Sequence, residues 1–150
     1  MLLVGGYGGL GVHALLTVQR TFPGFFKGLV FVSVAVVDSA AMKGVEEVDR
    51  VRIRTRDALE QFVALAHRLR LPADYRMDVG TEAVETAERL CQEVAREFPR
   101  AVFFAGKLVF QRERFVQRLL HNETAFQIQR RLQLGGLSAM VLPVRVLEPA

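Results

Sequence analysis

The sequence predicts an α/β fold, a three-layer sandwich in which helices cover both faces of a five-stranded parallel sheet. Strand-like and helix-like stretches alternate along all 150 residues, which is typical of parallel sheets. Two stretches, Leu29–Val37 and Ala101–Ala105, are apolar at almost every position, as expected of strands that are buried on both faces. Hydrophobic residues make up 51% of the chain, enough to form one core. We therefore expect a single domain over residues 1–150.

The first half of the chain contributes two strands and two helices. The apolar residues at the start predict a short buried strand, and His13–Phe22 has the spacing of a helix that Pro23 and Gly24 end. Leu29–Val37 is the second strand. A long helix is predicted over Val45–Leu71, with acidic side chains near its start and arginines near its end, as the helix dipole favours.

The middle of the chain predicts one more strand and helix. Asp74–Val79 is more polar than the other strands, so we expect it near an edge of the sheet. Thr81 is a suitable N-cap for a helix over Glu82–Phe98. Cys91 lies on the apolar face of that helix and is expected to be a small core residue.

The last part of the chain predicts two strands around one helix. The strand Ala101–Ala105 is expected to end at Gly106 and Lys107, and Asn122 to cap a helix that runs to Leu134. The final strand, Ser138–Val146, contains Pro143, so we expect it either to lie at an edge or to pair irregularly. Because this edge strand is apolar, we expect a homodimer that pairs through it. The alternative is a monomer in which Pro143 blocks pairing.

A glycine-rich turn follows the first strand and suggests an anion-binding loop. Gly6, Gly8 and Gly11 satisfy the dinucleotide-binding pattern G-x-G-x-x-G, and Asp38 ends the second strand, where an acidic residue would bind a ribose. An NAD(P)-binding Rossmann domain is therefore one hypothesis. The structural alternative is that these glycines allow close packing of strand, turn and helix.

A crevice is expected between this turn and the segment Gly106–Arg114, because ligands bind where the winding of a parallel sheet reverses. Glycine N–H groups on one wall and basic side chains on the other would suit a phosphate. Valine at Gly8 is expected to block the crevice or strain the turn. The candidate ligand-binding residues are Gly6, Gly8, Gly9, Gly11, Asp38, Gly106, Lys107, Arg112, Arg114, His121 and Asn122.

The second half resembles the end of a universal stress protein domain, through the stretches 101–106, 119–125 and 140–144. The resemblance implies the strand order 3-2-1-4-5 and ATP or another nucleotide as a ligand. The nucleotide-binding members of that family have an acidic residue at the end of strand one, where this chain has Gly5 and Gly6. Gly106 matches their first glycine after strand four, Val109 replaces their second, and His121-Asn122 replaces their Gly-Ser pair.

Longer continuous segments, 31–39, 43–47, 98–114 and 119–126, resemble the C-terminal domain of some bacterial permeases of the amino acid–polyamine–organocation class. The resemblance implies a cytoplasmic regulatory domain attached to the membrane domain of a transporter, although such a domain can also stand alone. A ligand-free interaction surface is an open alternative to nucleotide binding.

Other functions are not expected from the sequence. The three histidines are far apart, no metal-ligand or acid–base spacing is present, and no serine has the context of a nucleophile, so we expect neither a metal site nor an enzyme. The net charge of +4 comes from basic residues interleaved with acidic ones, which argues against nucleic acid as a partner. A single cysteine and no apolar stretch of membrane-spanning length favour a cytoplasmic location without membrane insertion.

Overall fold

The structure is a computed structural model that describes the backbone of residues 1–37, 44–110 and 115–146, and the side chains of residues 1–37, 44–106 and 124–144. Strands and helices alternate throughout, as β1 (Leu2–Leu3), α1 (Gly9–Thr21), β2 (Leu29–Val36), α2 (Val45–Arg68), β3 (Ala73–Gly80), α3 (Ala83–Glu97), β4 (Val102–Phe110), α4 (Phe115–Leu134) and β5 (Ser138–Val146). All five strands are parallel and lie in the order β3-β2-β1-β4-β5. The predicted fold class and strand order are confirmed.

The helices form one layer on each face of the sheet. Helices α1 and α2 pack over one face, where Leu15, Phe31 and Phe62 are fully buried. Helices α3 and α4 pack over the other face, around Cys91 and Phe103. Cys91 is a core residue, as predicted, and burial raises the pKa of its thiol to about 12. The thiol therefore stays protonated at neutral pH and has no nucleophilic character.

The shortest strand, β1, lies at the centre of the sheet. Leu2 is in register with Phe31 of β2 on one side and with Phe104 of β4 on the other. From β1 the chain winds outward through β2 to β3, and it then crosses to the other side to form β4 and β5. The direction of winding therefore reverses between β1 and β4.

The edge strand β3 is covered with ion pairs. Arg76 pairs with Asp74 at 2.6 Å and also with Glu97 of α3, and Arg89 of α3 pairs with Asp78 at 2.7 Å. The hydrogen bond from Arg76 holds the pKa of Asp74 below its usual value. Charged side chains along an edge strand oppose pairing with another chain, and the predicted edge position of this strand is confirmed.

The other edge strand is β5, again as predicted. Gln133 and Gln129 of α4 donate hydrogen bonds to the carbonyl oxygen of Ala139, at 3.0 and 3.4 Å. Pro143 lacks an N–H group. In β5, therefore, the carbonyl oxygen of Ala139 already accepts hydrogen bonds, and position 143 has no N–H group to donate to the strand of a second copy. Pairing of two copies through β5 stays a prediction.

Three predicted boundaries are wrong in the second half of the chain. Strand β4 continues through Gly106 to Phe110, because Leu108 and the two residues after it extend the apolar pattern. Helix α4 begins at Phe115, so Asn122 lies inside the helix and is not its N-cap. No glycine or proline interrupts residues 115–134, and one asparagine is insufficient to delay a helix. The N-cap of α3 is Glu82 and not Thr81, and it makes no side-chain capping bond.

Gly106 lies inside a strand because its neighbours leave no room for a side chain. A Cβ at this position would lie 3.1 Å from Leu10 and 3.3 Å from Ala14, both on α1, and 3.4 Å from Val144 of β5. The glycine thus lets α1 approach the sheet closely. The sequence marks Gly106 as a turn residue, whereas packing is what requires it.

Candidate functional site

A cavity of about 380 Å³ lies at the carboxyl ends of β1 and β2 and beside the middle of β4, at Ala105 and Gly106. It occupies the predicted position, where the winding of the sheet reverses. Small-molecule sites in proteins have volumes of about 300–1,000 Å³ and favour such switch points. Gly6 and Gly11 from the glycine turn line this space together with Gly106, the first residue of the segment Gly106–Arg114. The side chains of residues 107–114 lie outside the described part of the chain.

The cavity exists because the side chains around it are small. Half of its described lining residues are glycine or alanine, contributed by the turn after β1, by β4 and by all of the helices except α2: Gly5, Gly6, Gly11, Ala14, Ala83, Ala87, Ala105, Gly106 and Ala125. Leucine, valine and isoleucine side chains form most of the remaining wall. The polar side chains of the described wall are Ser33 and Thr124, and none is charged. Such a wall suits a flat, largely apolar group.

The turn from Gly5 to Gly9 forms the entrance to helix α1. Gly8 is the N-cap, and the first helical bond runs from the N–H group of Val12 to the carbonyl oxygen of Gly8, at 3.1 Å. No side chain of the described residues caps this helix end. The N–H groups of the first turn are therefore available to a ligand at the rim of the cavity, which Leu10 and Gly11 help to form.

The expectation that Gly8 needs a special conformation is wrong. Its φ of −178° is extended, which any residue can adopt. A Cβ there would meet no atom within 4 Å, and the same holds at Gly9. Neither residue belongs to the described cavity lining. A valine at Gly8 is thus expected to be tolerated and to leave the cavity open.

Gly11 must be a glycine because its neighbours leave no room for a side chain. The ring of Phe62 on α2 occupies the space that a Cβ on Gly11 would need. Phe62 is itself fully buried and is stacked on Phe31, with ring centroids 5.3 Å apart. The ring of Tyr7 contacts it in a tilted arrangement, with ring centroids 4.8 Å apart. The third glycine of the G-x-G-x-x-G pattern therefore serves the contact between two helices.

The basic wall of the predicted crevice lies outside the described residues. Asp38, Arg112 and Arg114 are not described at all. Lys107 belongs to β4, and His121 and Asn122 to α4, but their side chains are not described. Their assignment to the ligand site remains a prediction.

Sequence reasoning missed the contribution of the α3 and α4 face. Ala83 and Ala87 are one turn apart on α3 and line the cavity together with Thr124 and Ile128 of α4. Ser33, a polar residue inside an otherwise apolar strand, is buried and lines the cavity. It lies on the same face of β2 as Phe31, so it does not indicate the α3 and α4 wall. The spacing of two alanines on a helix does not by itself distinguish a cavity wall from ordinary packing.

Comparisons of the chain with protein-family models, with curated proteins and with solved structures found no match. Among the helices of the described part, none has the length and apolar character needed to cross a bilayer. No cluster of three or more potential metal ligands occurs among the described His, Cys, Asp and Glu residues.

Proposed function

We propose that this chain is a non-catalytic regulatory domain of the universal stress protein type, and that it binds a nucleotide in the cavity at the carboxyl ends of β1 and β2, beside the middle of β4. The observation that carries the proposal is the position of this cavity, at the reversal of winding and beside an uncapped helix N-terminus. Its volume of about 380 Å³ is enough for a nucleoside.

The lining suits the two chemical halves of a nucleotide. The faces of a base are flat and apolar, and they would lie against the aliphatic walls from β2, α3 and α4. The phosphates would extend toward the turn after β1, where backbone N–H groups of the first turn of α1 lie. A ligand that only binds, and is not transformed, fits a described lining with no acidic or basic side chain.

A regulatory role on a transporter follows from the permease resemblance. In this proposal the domain lies on the cytoplasmic side of the membrane, joined to an amino-acid permease, and nucleotide occupancy alters the surface that it presents to the membrane domain. The α3–α4 wall is the element that a ligand would stabilise, since both helices contribute to the cavity.

Calorimetric titration with ATP, ADP, cyclic dinucleotides and NAD tests this proposal. Wild type is expected to bind one of the nucleotides at a single site. A Gly5→Val substitution is expected to weaken that binding about tenfold or more, a loss of about 1.4 kcal/mol, because it adds bulk at the cavity wall. The variant should fold, since a Cβ on Gly5 meets no atom within 4 Å and its φ is not in the left-handed region.

The matched control is Gly8→Val, which adds the same side chain in the same turn but outside the described lining. It is expected to bind as wild type does. Absence of heat with every nucleotide would overturn the proposed function. Equal binding by wild type and Gly5→Val would show that any nucleotide binds elsewhere.

A further inference from the structure

A groove, separate from the cavity, lies on the other side of the glycine turn. It has a volume of about 540 Å³ and runs between Gly6–Tyr7 and one face of α2, where Arg50, Arg54 and Asp57 line it. Gly6 lines both the groove and the cavity. A Cβ on Gly6 would meet no atom within 4 Å, so no side chain is packed against this face of the residue that the two spaces share.

The arginines reach this groove because the first half of α2 extends beyond the core. The fully buried residues of α2 begin only at Ala58. Before that point Arg50 and Arg54 are one helical turn apart and therefore project from the same face. Tyr7, which contacts Phe62 of the same helix, closes the opposite wall of the groove.

The groove contains a guanidinium group whose hydrogen-bond donors are unused. Arg50 pairs with Glu47 at 3.2 Å, in a contact that is largely exposed. Arg54 has no ion pair or hydrogen bond with any other residue of the described segments. Asp57 also lines the groove, and together with Glu47 it balances the formal charges of the two arginines. A guanidinium group with unused donors at an open groove is suited to bind a phosphate through two parallel hydrogen bonds.

We propose that Arg54, assisted by Arg50, binds the phosphate groups of the nucleotide whose base occupies the cavity. The ligand would cross the turn at Gly6, with its apolar part on the β2, α3 and α4 side and its anionic part on the α2 side. This inference rests on the proposed function, and it adds the arginines of α2 to the backbone N–H groups of α1 as contacts of the phosphates.

Comparison of ATP with adenosine in an Arg54→Gln variant tests this assignment. Loss of a charged hydrogen bond is expected to weaken ATP binding about tenfold or more. Adenosine, which has no phosphate, should bind the variant as it binds wild type. Arg52→Gln is the control, because Arg52 lies on the same helix but outside the groove lining. It is expected to change neither affinity, and circular dichroism should show all proteins equally helical.

The outcomes separate the two proposals. If wild type binds neither adenosine nor any of the nucleotides titrated above, the proposed function is wrong and this inference with it. If it binds another nucleotide but not ATP, this inference alone is wrong. If wild type binds ATP and Arg54→Gln binds it equally well, the phosphate assignment alone is wrong. An equal loss of ATP and adenosine binding in Arg54→Gln would also overturn the assignment, since it would show an effect on the shape of the site and not on phosphate.

Discussion

Replacing Phe62 with alanine is expected to lower the free energy of unfolding by about 3–5 kcal/mol, the usual cost of removing a buried aromatic ring. Phe62 is 0% exposed, stacks on Phe31 and lies directly beneath Gly11. It thereby joins α2 to β2 and α1 at the base of the glycine turn. Urea denaturation of the variant and wild type measures this loss.

The same contact predicts that Gly11→Ala destabilises the protein, although alanine ordinarily stabilises a helix by about 1 kcal/mol relative to glycine. Overpacking against a ring that is fully buried and stacked on another ring costs about 1–3 kcal/mol, and here it outweighs the helical gain. Gly9→Ala is the control, since its Cβ meets no atom within 4 Å and the residue lies in the same helix. Gly9→Ala should stabilise or be neutral.

A double variant identifies the cause. Combining Gly11→Ala with Phe62→Leu shortens the side chain that the new methyl group contacts. The double variant should therefore lose less free energy of unfolding than the two single variants lose together. If Gly11→Ala were as stable as Gly9→Ala, the close approach of α1 to Phe62 would be contradicted.

The second large effect is expected in the central strand β2. Val30 is 7% exposed and packs in the cluster that contains Leu90 and Val94 of α3. An aspartate there would bury a charge without a partner, at a cost comparable to the whole stability of a domain, about 5–15 kcal/mol. We expect Val30→Asp to give no folded protein by circular dichroism.

Val34→Asp is the matched variant on the same strand. From sequence alone it is equally disruptive, because Val34 lies in the middle of an apolar run. In the structure Val34 is only partly buried and lines the cavity, where water can reach a carboxylate. This variant is expected to fold with reduced stability. Its complete unfolding alongside Val30→Asp would contradict the open cavity.

The fold was predictable because its signals are local. Apolar runs such as Leu29–Val36 and Val102–Ala105 identify buried parallel strands by themselves, and Pro23 marks the end of α1 within two residues. The strand order came from a family resemblance, and the alternation of strand and helix alone allows several orders.

The detailed roles of the glycines were not predictable because they depend on distant residues. Gly11 is explained by Phe62, about fifty residues further along the chain, and Gly106 by side chains of α1 and β5. The pattern G-x-G-x-x-G looks the same whether a phosphate or a phenyl ring requires the third glycine. For the same reason the sequence did not predict that α3 and α4 line the cavity, because their residues come together there only in the folded chain.

The site itself is most directly tested by nuclear magnetic resonance, recording the backbone amide signals of the ¹⁵N-labelled protein during titration with ATP. We expect the largest shifts on amides around the cavity, at Gly5, Gly6, Leu10, Val34 and Gly106, with smaller shifts near Arg54. Amides of the distant edge strand β3, such as Arg76, should keep their signals unchanged. A spectrum that neither ATP nor any other of the nucleotides named above changes, or one in which β3 shifts while the glycine turn does not, would contradict the proposal that this cavity binds a nucleotide.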